Sequence, residues 1–348
     1  APRSAFPAHR RCARPTPGGH GRAPTAGAAA PGGQPVPCCA VTVAYLAAAG
    51  YRRPLQEELE RAGLTPALRW FDERLVLCDA PAIDAAWAVN TWFDVEELAV
   101  RSIADAAAQL RARQRSWCAY PPAAGGRAAL IAARLPHVSG RALQLGEPAP
   151  GSPLGSWALA APDRLLAAAR CSSPFPNGEV PLAEHRVGPP SRAYRKLWEA
   201  FVRLGRYPQP GELAVDLGAS PGGWTWLLHE LGARVVAVDR APLAPAVASL
   251  ARVRAVAASA FGLDAAALAA THGPPRWVCS DIACYPDRVL ELVHAWRAAA
   301  PAATLVMTVK FQGRTDHDAV DALRAPGVTL AHLHHNKHEL TLLAAPVD

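Results

Sequence analysis

The stretch "LAVDLGASPGGWTWLLHELGARVVAVDRAP", residues 213–242, reads as strand, loop, helix and strand in that order. An apolar run ends at Asp216, a glycine-rich loop follows, a helix starts at about Gly222, and a second apolar run closes on Asp239. Glycines let the backbone approach a ligand, and a helix N-terminus offers unpaired N–H groups to it. An acid closing the second strand suits a ribose diol. The candidate ligand-binding residues are therefore Asp216, Gly218, Ser220, Pro221, Gly222, Gly223, Trp224 and Asp239.

Three readings fit this loop. One is a tight strand-to-helix turn with a core tryptophan, and a second is a nicotinamide dinucleotide site. The third is S-adenosylmethionine. The loop is GASPGGW rather than GxGxxG, and Pro221 stiffens it. Trp224 is placed to wall a pocket, and Asp216, ending the first strand, suits a cationic ligand such as a sulfonium amino acid. These details favour S-adenosylmethionine.

Working outward, a helix is expected over 193–204 and strands at 213–217, 234–238, 253–257, 277–280, 303–310, 328–334 and 339–344. Helical stretches separate the early strands, as in a doubly wound parallel sheet. A short turn joins the last two, so the final strand is expected to run antiparallel. Upstream, 40–63 reads as strand, glycine turn and amphipathic helix; 74–80 and 115–121 read as strands, and 102–114 as a helix. That makes a smaller α/β domain over 39–165, a Pro- and Gly-rich linker over 166–192, and the larger α/β domain over 193–348. Residues 1–38 are rich in Pro, Gly, Ala and Arg, lack acids, and are expected to be disordered.

The PGGW loop and four further residues resemble the FtsJ-type S-adenosylmethionine-dependent RNA ribose 2'-O-methyltransferases. The closer branch is the bacterial large-subunit rRNA enzymes with an N-terminal THUMP-like RNA-binding domain. The resemblance spans about residues 186–345 and is weak over 40–165. It implies a Rossmann-like methyltransferase fold, a mostly parallel seven-stranded sheet with an antiparallel last strand, and S-adenosylmethionine as cofactor. It also implies a Lys-Asp-Lys-Glu catalytic tetrad, which falls here on Lys196, Asp281, Lys310 and Glu339, with Asp281 also beside the cofactor. Lysine is scarce: only Lys196, Lys310 and Lys337 occur among 36 basic residues, so two of three fall on tetrad positions. Arginine keeps its proton at any relevant pH, whereas lysine can give one up. Lys310 is the expected base for the 2'-hydroxyl. The family often has an Asp after the third strand; here "VAASAFG" (256–262) offers Ser259 for the adenine instead.

The net charge of +7 comes from residues 1–56, which hold seven Arg and no acid; the rest is neutral. RNA contact must therefore be local. Arg186, Arg192, Arg195 and Arg203 surround "SRAYRKLWEAF" (191–201), where Tyr194, Trp198 and Phe201 interleave. Cations track phosphates and exposed aromatics stack on unpaired bases. The Arg101–Arg115 cluster is a second candidate, and Lys337 is read as surface or RNA-facing. Eight cysteines without CxxC spacing read as free thiols of a reducing compartment. His334, His335 and His338 lack ligand partners at metal spacing, so no metal is expected. No apolar run reaches the roughly 20 residues of a membrane span. The expectation is thus a cytoplasmic, monomeric enzyme acting on RNA, most specifically large-subunit rRNA. A noncatalytic RNA-binding relative, and a methyltransferase of the same fold with another acceptor, are the alternatives. A nicotinamide oxidoreductase fails on the loop.

Overall fold

The computed structural model describes residues 42–122 and 125–346. The expected tail over 1–38, with Cys12 and Cys38, lies outside them. Among the described residues the strands form three sheets. The first part of the chain runs β1 (Val43–Ala47), α1 (Arg52–Arg61), β2 (Leu68–Trp70), β3 (Leu75–Cys78), β4 (Ala88–Phe93), β5 (Glu96–Ala99), α2 (Ile103–Arg113), β6 (Trp117–Ala119), α3 (Gly126–Ala132), β7 (Gly155–Ala161), β8 (Arg164–Ala168) and β9 (Arg170–Cys171). One sheet has the order β2-β3-β1-β4-β9 and the other β5-β8-β7-β6. Residues 166–168 and 170–171, assigned to a linker from their sequence, are strand instead: β8 pairs with β5 and β7, and β9 with β4. The Pro and Gly signal begins only at 172, and a two-residue strand leaves no periodicity to read.

The second part runs α4 (Tyr194–Leu204), β10 (Leu213–Leu217), α5 (Gly223–Glu230), β11 (Arg234–Asp239), α6 (Pro245–Ala248), β12 (Val253–Ala257), α7 (Ala265–His272), β13 (Trp277–Ser280), α8 (Pro286–Ala299), β14 (Thr304–Lys310), α9 (His317–Leu323), β15 (Val328–Ala331) and β16 (Glu339–Ala344). Their sheet has the order β12-β11-β10-β13-β14-β16-β15. β10 to β14 pair in parallel, and β16 runs antiparallel to both β14 and β15, as its short preceding turn predicts. Helices cover both faces, so the central strands are apolar without alternation: β10 is buried along its whole length. The order reverses between β10 and β13, and in open α/β sheets ligands bind beyond the strand ends at such a point.

Residues 40–348 form one unit, and a single apolar core runs through its two parts. Tyr45, Leu55 and Trp87 share it with Leu305, Phe311 and Leu340. Glu58 of α1 is buried at this junction, accepts from the Ala86 and Trp87 amides at 2.8 and 3.0 Å, and pairs with Arg324 at 2.6 Å. Burial still pushes its carboxyl above the ordinary range.

Candidate active site

The first strand of the large sheet delivers the glycine loop. Gly218 has φ +72°, and a side chain there would strike Ile282 beyond β13. Gly222 has φ +115° at the start of α5, where a Cβ would lie 2.8 Å from Val247. The loop is pinned from the next strand: Asp239 accepts from the Ser220 amide at 3.0 Å and the Ala241 amide at 2.8 Å. The Ser220 hydroxyl donates to the Pro242 carbonyl at 2.8 Å. Ser259 stands half-buried just past β12, whose neighbour Ala258 donates to the Asp239 carbonyl at 3.2 Å.

Asp216 is buried and accepts from the Thr225 hydroxyl at 2.6 Å. Burial pushes its carboxyl up to about 7, the Thr225 hydrogen bond pulls the other way, and the Asp281 charge adds to the rise. A cation placed against it would favour the ionised form.

Trp224 differs from its expected place. It is 3 % exposed and donates to the Ala193 carbonyl at 2.9 Å. The ring therefore braces α5 against the start of α4 instead of walling a pocket. Gly223 allows that close approach, since a Cβ there would meet the Ser191 hydroxyl at 2.5 Å.

The four tetrad positions converge from four elements. Lys196 comes from the first turn of α4, Asp281 from just past β13, Lys310 from the last position of β14, and Glu339 from the first of β16. Lys310 and Glu339 are register partners in the antiparallel pair. The Lys196 ammonium lies 2.7 Å from Asp281 Oδ1 and 3.1 Å from Glu339 Oε1. The Lys310 ammonium lies 3.0 Å from the same Asp281 oxygen and donates to the Asp281 carbonyl at 2.7 Å. One carboxylate thus bridges two lysines. The side chain of Lys310 is 26 % exposed against 12 % for Lys196, 16 % for Asp281 and 7 % for Glu339. Lys310 is thus the most exposed of the four.

The basic segment is rearranged relative to its expectation. Tyr194, Trp198 and Phe201 are buried, so none is available to stack on a base. Arg203 is committed to Glu199, a fully buried acid 2.9 Å away, and is removed from the RNA-contact set. Glu199 also accepts from the His334 and His335 amides at 2.9 and 3.1 Å and bonds the His335 ring at 2.9 Å. Burial opposes ionisation of Glu199, but Arg203 and His335 overcome it and hold its carboxyl at about 2. Arg186, Arg192 and Arg195 gather around Glu184, at 3.4, 3.2 and 2.8 Å. Three guanidinium groups on one carboxylate leave a positive surplus, with Arg186 and Arg192 largely exposed. In the other candidate cluster Arg101 stands near Asp105 and Arg113 is held by Glu96.

A family model described as FtsJ-like methyltransferase matches residues 189–334. Residues 189–334 form an FtsJ-like methyltransferase domain. The match includes the glycine loop, Lys196, Asp281 and Lys310; Glu339 lies just past its end. The chain is 36 % identical over 183 residues to a ribosomal RNA large subunit methyltransferase M of Halorhodospira halophila, covering 49 % of this chain and 51 % of the relative. It is 33 % identical over 196 residues to the protein of the same name in Alkalilimnicola ehrlichii, covering 51 % and 52 %. The chain spans about half the length of the curated relatives it matches. Among the described residues, no three His, Cys, Asp or Glu side chains are grouped to hold a metal ion, and no helix is long and apolar enough to cross a membrane. The five cysteines described, 78, 118, 171, 279 and 284, are unpaired.

Two features around the methyltransferase domain escaped the sequence reading. Glu199 looks like a solvated helix residue, and only its approach to residues 334 and 335 reveals it as buried. Tyr51, from the turn before α1, reaches that domain, its ring 5.9 Å from that of His338.

Proposed function

We propose that the chain is an RNA ribose 2'-O-methyltransferase that uses S-adenosylmethionine and acts on large-subunit rRNA. The carrying observation is the chain of ion pairs from Glu339 to Lys196 to Asp281 to Lys310, at 3.1, 2.7 and 3.0 Å, at the strand ends that also carry the glycine loop. The residues fit the cofactor. Asp216 offers a buried carboxyl to a cationic amino acid moiety, Asp239 an acid to a ribose diol, and Ser259 a polar group to the adenine. Gly218, Ser220, Pro221, Gly222 and Gly223 bring the backbone alongside. When bound, S-adenosylmethionine supplies an already activated methyl group.

What remains for the protein is to align the attacking oxygen and take one proton. Lys310 meets the 2'-hydroxyl, orients it and accepts that proton. Asp281 anchors Lys310 through both its carboxylate and its carbonyl. Lys196 lies between Asp281 and Glu339 and holds Asp281 in place, which leaves Lys310, in its neutral form, to take the proton. Arg186, Arg192 and Arg195 supply phosphate contacts at the start of α4. The N-terminal part contributes further RNA contact. All four tetrad groups come from one chain, which supports a monomer, and an rRNA substrate supports a cytoplasmic location.

The test is transfer of labelled methyl from S-adenosylmethionine to unmodified large-subunit rRNA, with Lys310→Ala as control. A ribose carrying a 2'-O-methyl resists alkaline cleavage. Label at one resistant site, lost in the variant, supports the reading. Label in RNA that stays alkali-labile moves the reaction to a base and sinks it.

A further inference from the structure

A cleft of about 280 Å³ lies where the N-terminal part meets the methyltransferase domain. Its walls are Tyr51, Arg53 and Glu57 on one side and Gly313, Arg314, Thr315 and His338 on the other. Both walls are tied to the tetrad strands. Gly313 and Arg314 follow Lys310 by three and four residues, and His338 immediately precedes Glu339. The Phe311 amide donates to the His338 carbonyl at 3.3 Å, and the His338 ring bonds the Thr315 hydroxyl at 3.0 Å.

The lining has two kinds of chemistry. Tyr51 packs against both Trp87 and His338, with ring centroids 5.5 and 5.9 Å away and planes within 24° and 20°, and those two rings lie 5.7 Å from each other. This fixes two flat rings, Tyr51 and His338, at the cleft. Arg53 and Arg314 add two exposed guanidinium groups. Arg53 shares Glu57 with His317, at 2.7 and 3.3 Å. Among the described residues no carboxylate lies within ion-pair distance of Arg314. Held aromatic rings beside arginines are what a splayed, unpaired nucleotide binds: its base stacks and its phosphate pairs.

We propose that this cleft is a second subsite on the RNA path, taking the nucleotide next to the methylated one, with its base against Tyr51 and His338 and its phosphate on Arg314 and Arg53. The inference rests on the RNA reading above and deepens it. It gives the N-terminal part a direct share in the acceptor site, through Tyr51 and Arg53.

The test uses the full chain with an in vitro transcript of the host's large-subunit rRNA. RNA affinity across salt concentrations, methyl transfer and S-adenosylmethionine affinity are measured for wild type, Arg53→Gln/Arg314→Gln and Arg314→Gln alone. Each lost contact to a single strand lowers the slope of log affinity on log salt by about 0.7. The double variant should therefore bind RNA about tenfold more weakly near 0.1 M salt, with the slope reduced by about 1.4 and cofactor affinity unchanged. Arg314→Gln breaks no ion pair and should show about half the slope change. His338→Ala should raise the KM for RNA while kcat stays within about twofold, because a stacking surface acts on binding. Unchanged RNA affinity and slope in both arginine variants, with wild type methylating the transcript, overturn the subsite alone. A wild type that neither binds nor methylates RNA overturns the RNA reading and the subsite with it.

Discussion

At the residue scale, Lys310 carries the sharpest expectation. Arginine in its place can orient a hydroxyl but cannot take its proton. Lys310→Arg should therefore abolish single-turnover methyl transfer while S-adenosylmethionine still binds; near-normal turnover would refute the base role. Asp216 gives a second test. Its carboxyl is ordinarily near 3.8 and is pushed to about 7, first by burial. The folded chain therefore holds a proton there that the unfolded chain has lost, and the ligand-free protein loses stability as pH rises from about 4 to about 7. A cation seated on Asp216 expels that proton. Binding at pH 6 should release protons, seen as a dependence of the binding heat on the buffer's ionisation enthalpy, and Asp216→Asn should remove the dependence. Lys196 and Lys310 were legible at this scale because lysine is so rare in the chain, while Asp281 and Glu339 were reached only through the resemblance to a known family. The burial of Trp224 was not legible, because a tryptophan after a glycine loop has the same sequence whether it faces a ligand or the core.

At the element scale, α4 does more than present Lys196. One turn on, Glu199 grips the segment that leads into β16 and so sets the approach of Glu339 to Lys196. Its carboxyl lies at about 2, below its ordinary 4.5, because Arg203 and His335 outweigh the burial that opposes ionisation. The stability it contributes is fully present above about pH 4.5 and is lost as pH falls towards about 2. Removing one partner of a buried pair costs about 3–5 kcal/mol. Glu199→Ala should lower unfolding free energy by about that much in urea at pH 7, and wild type should approach the variant below about pH 3. Equal stability of the two at pH 7 would count against the grip. Strands β10 and β13 were readable to the residue, since a strand covered on both faces is a short apolar run. The two-sided burial of α4 was not: Arg195, Lys196 and Arg203 make it look solvated, while their charges are drawn to Glu184 just upstream, to Asp281 far along the chain and to the buried Glu199 of the helix itself.

At the scale of the whole molecule, the N-terminal part and the methyltransferase domain share a core, with Trp87 at its centre against Phe311, His332 and His338. Truncating a buried tryptophan costs about 3–5 kcal/mol. Trp87→Ala should remove about that much stability and unfold both parts in one transition, followed by tryptophan fluorescence and circular dichroism together. Two separated transitions would mean the parts are stabilised independently. No local pattern announces such a junction: the apolar side of β1 reads the same whether it meets its own helix or another sheet. The large sheet has a further consequence for how the enzyme comes into being. β15 is made before β16 but lies outside it and, among the described residues, pairs with no other strand. Until residues 339–344 leave the ribosome, β14 is an open edge, β15 is unanchored and the carboxylate facing Lys196 is missing. Sheet closure and completion of the Lys196–Asp281–Lys310–Glu339 cluster are then the same event, so a nascent chain stalled before Glu339 carries neither a closed sheet nor an assembled cluster.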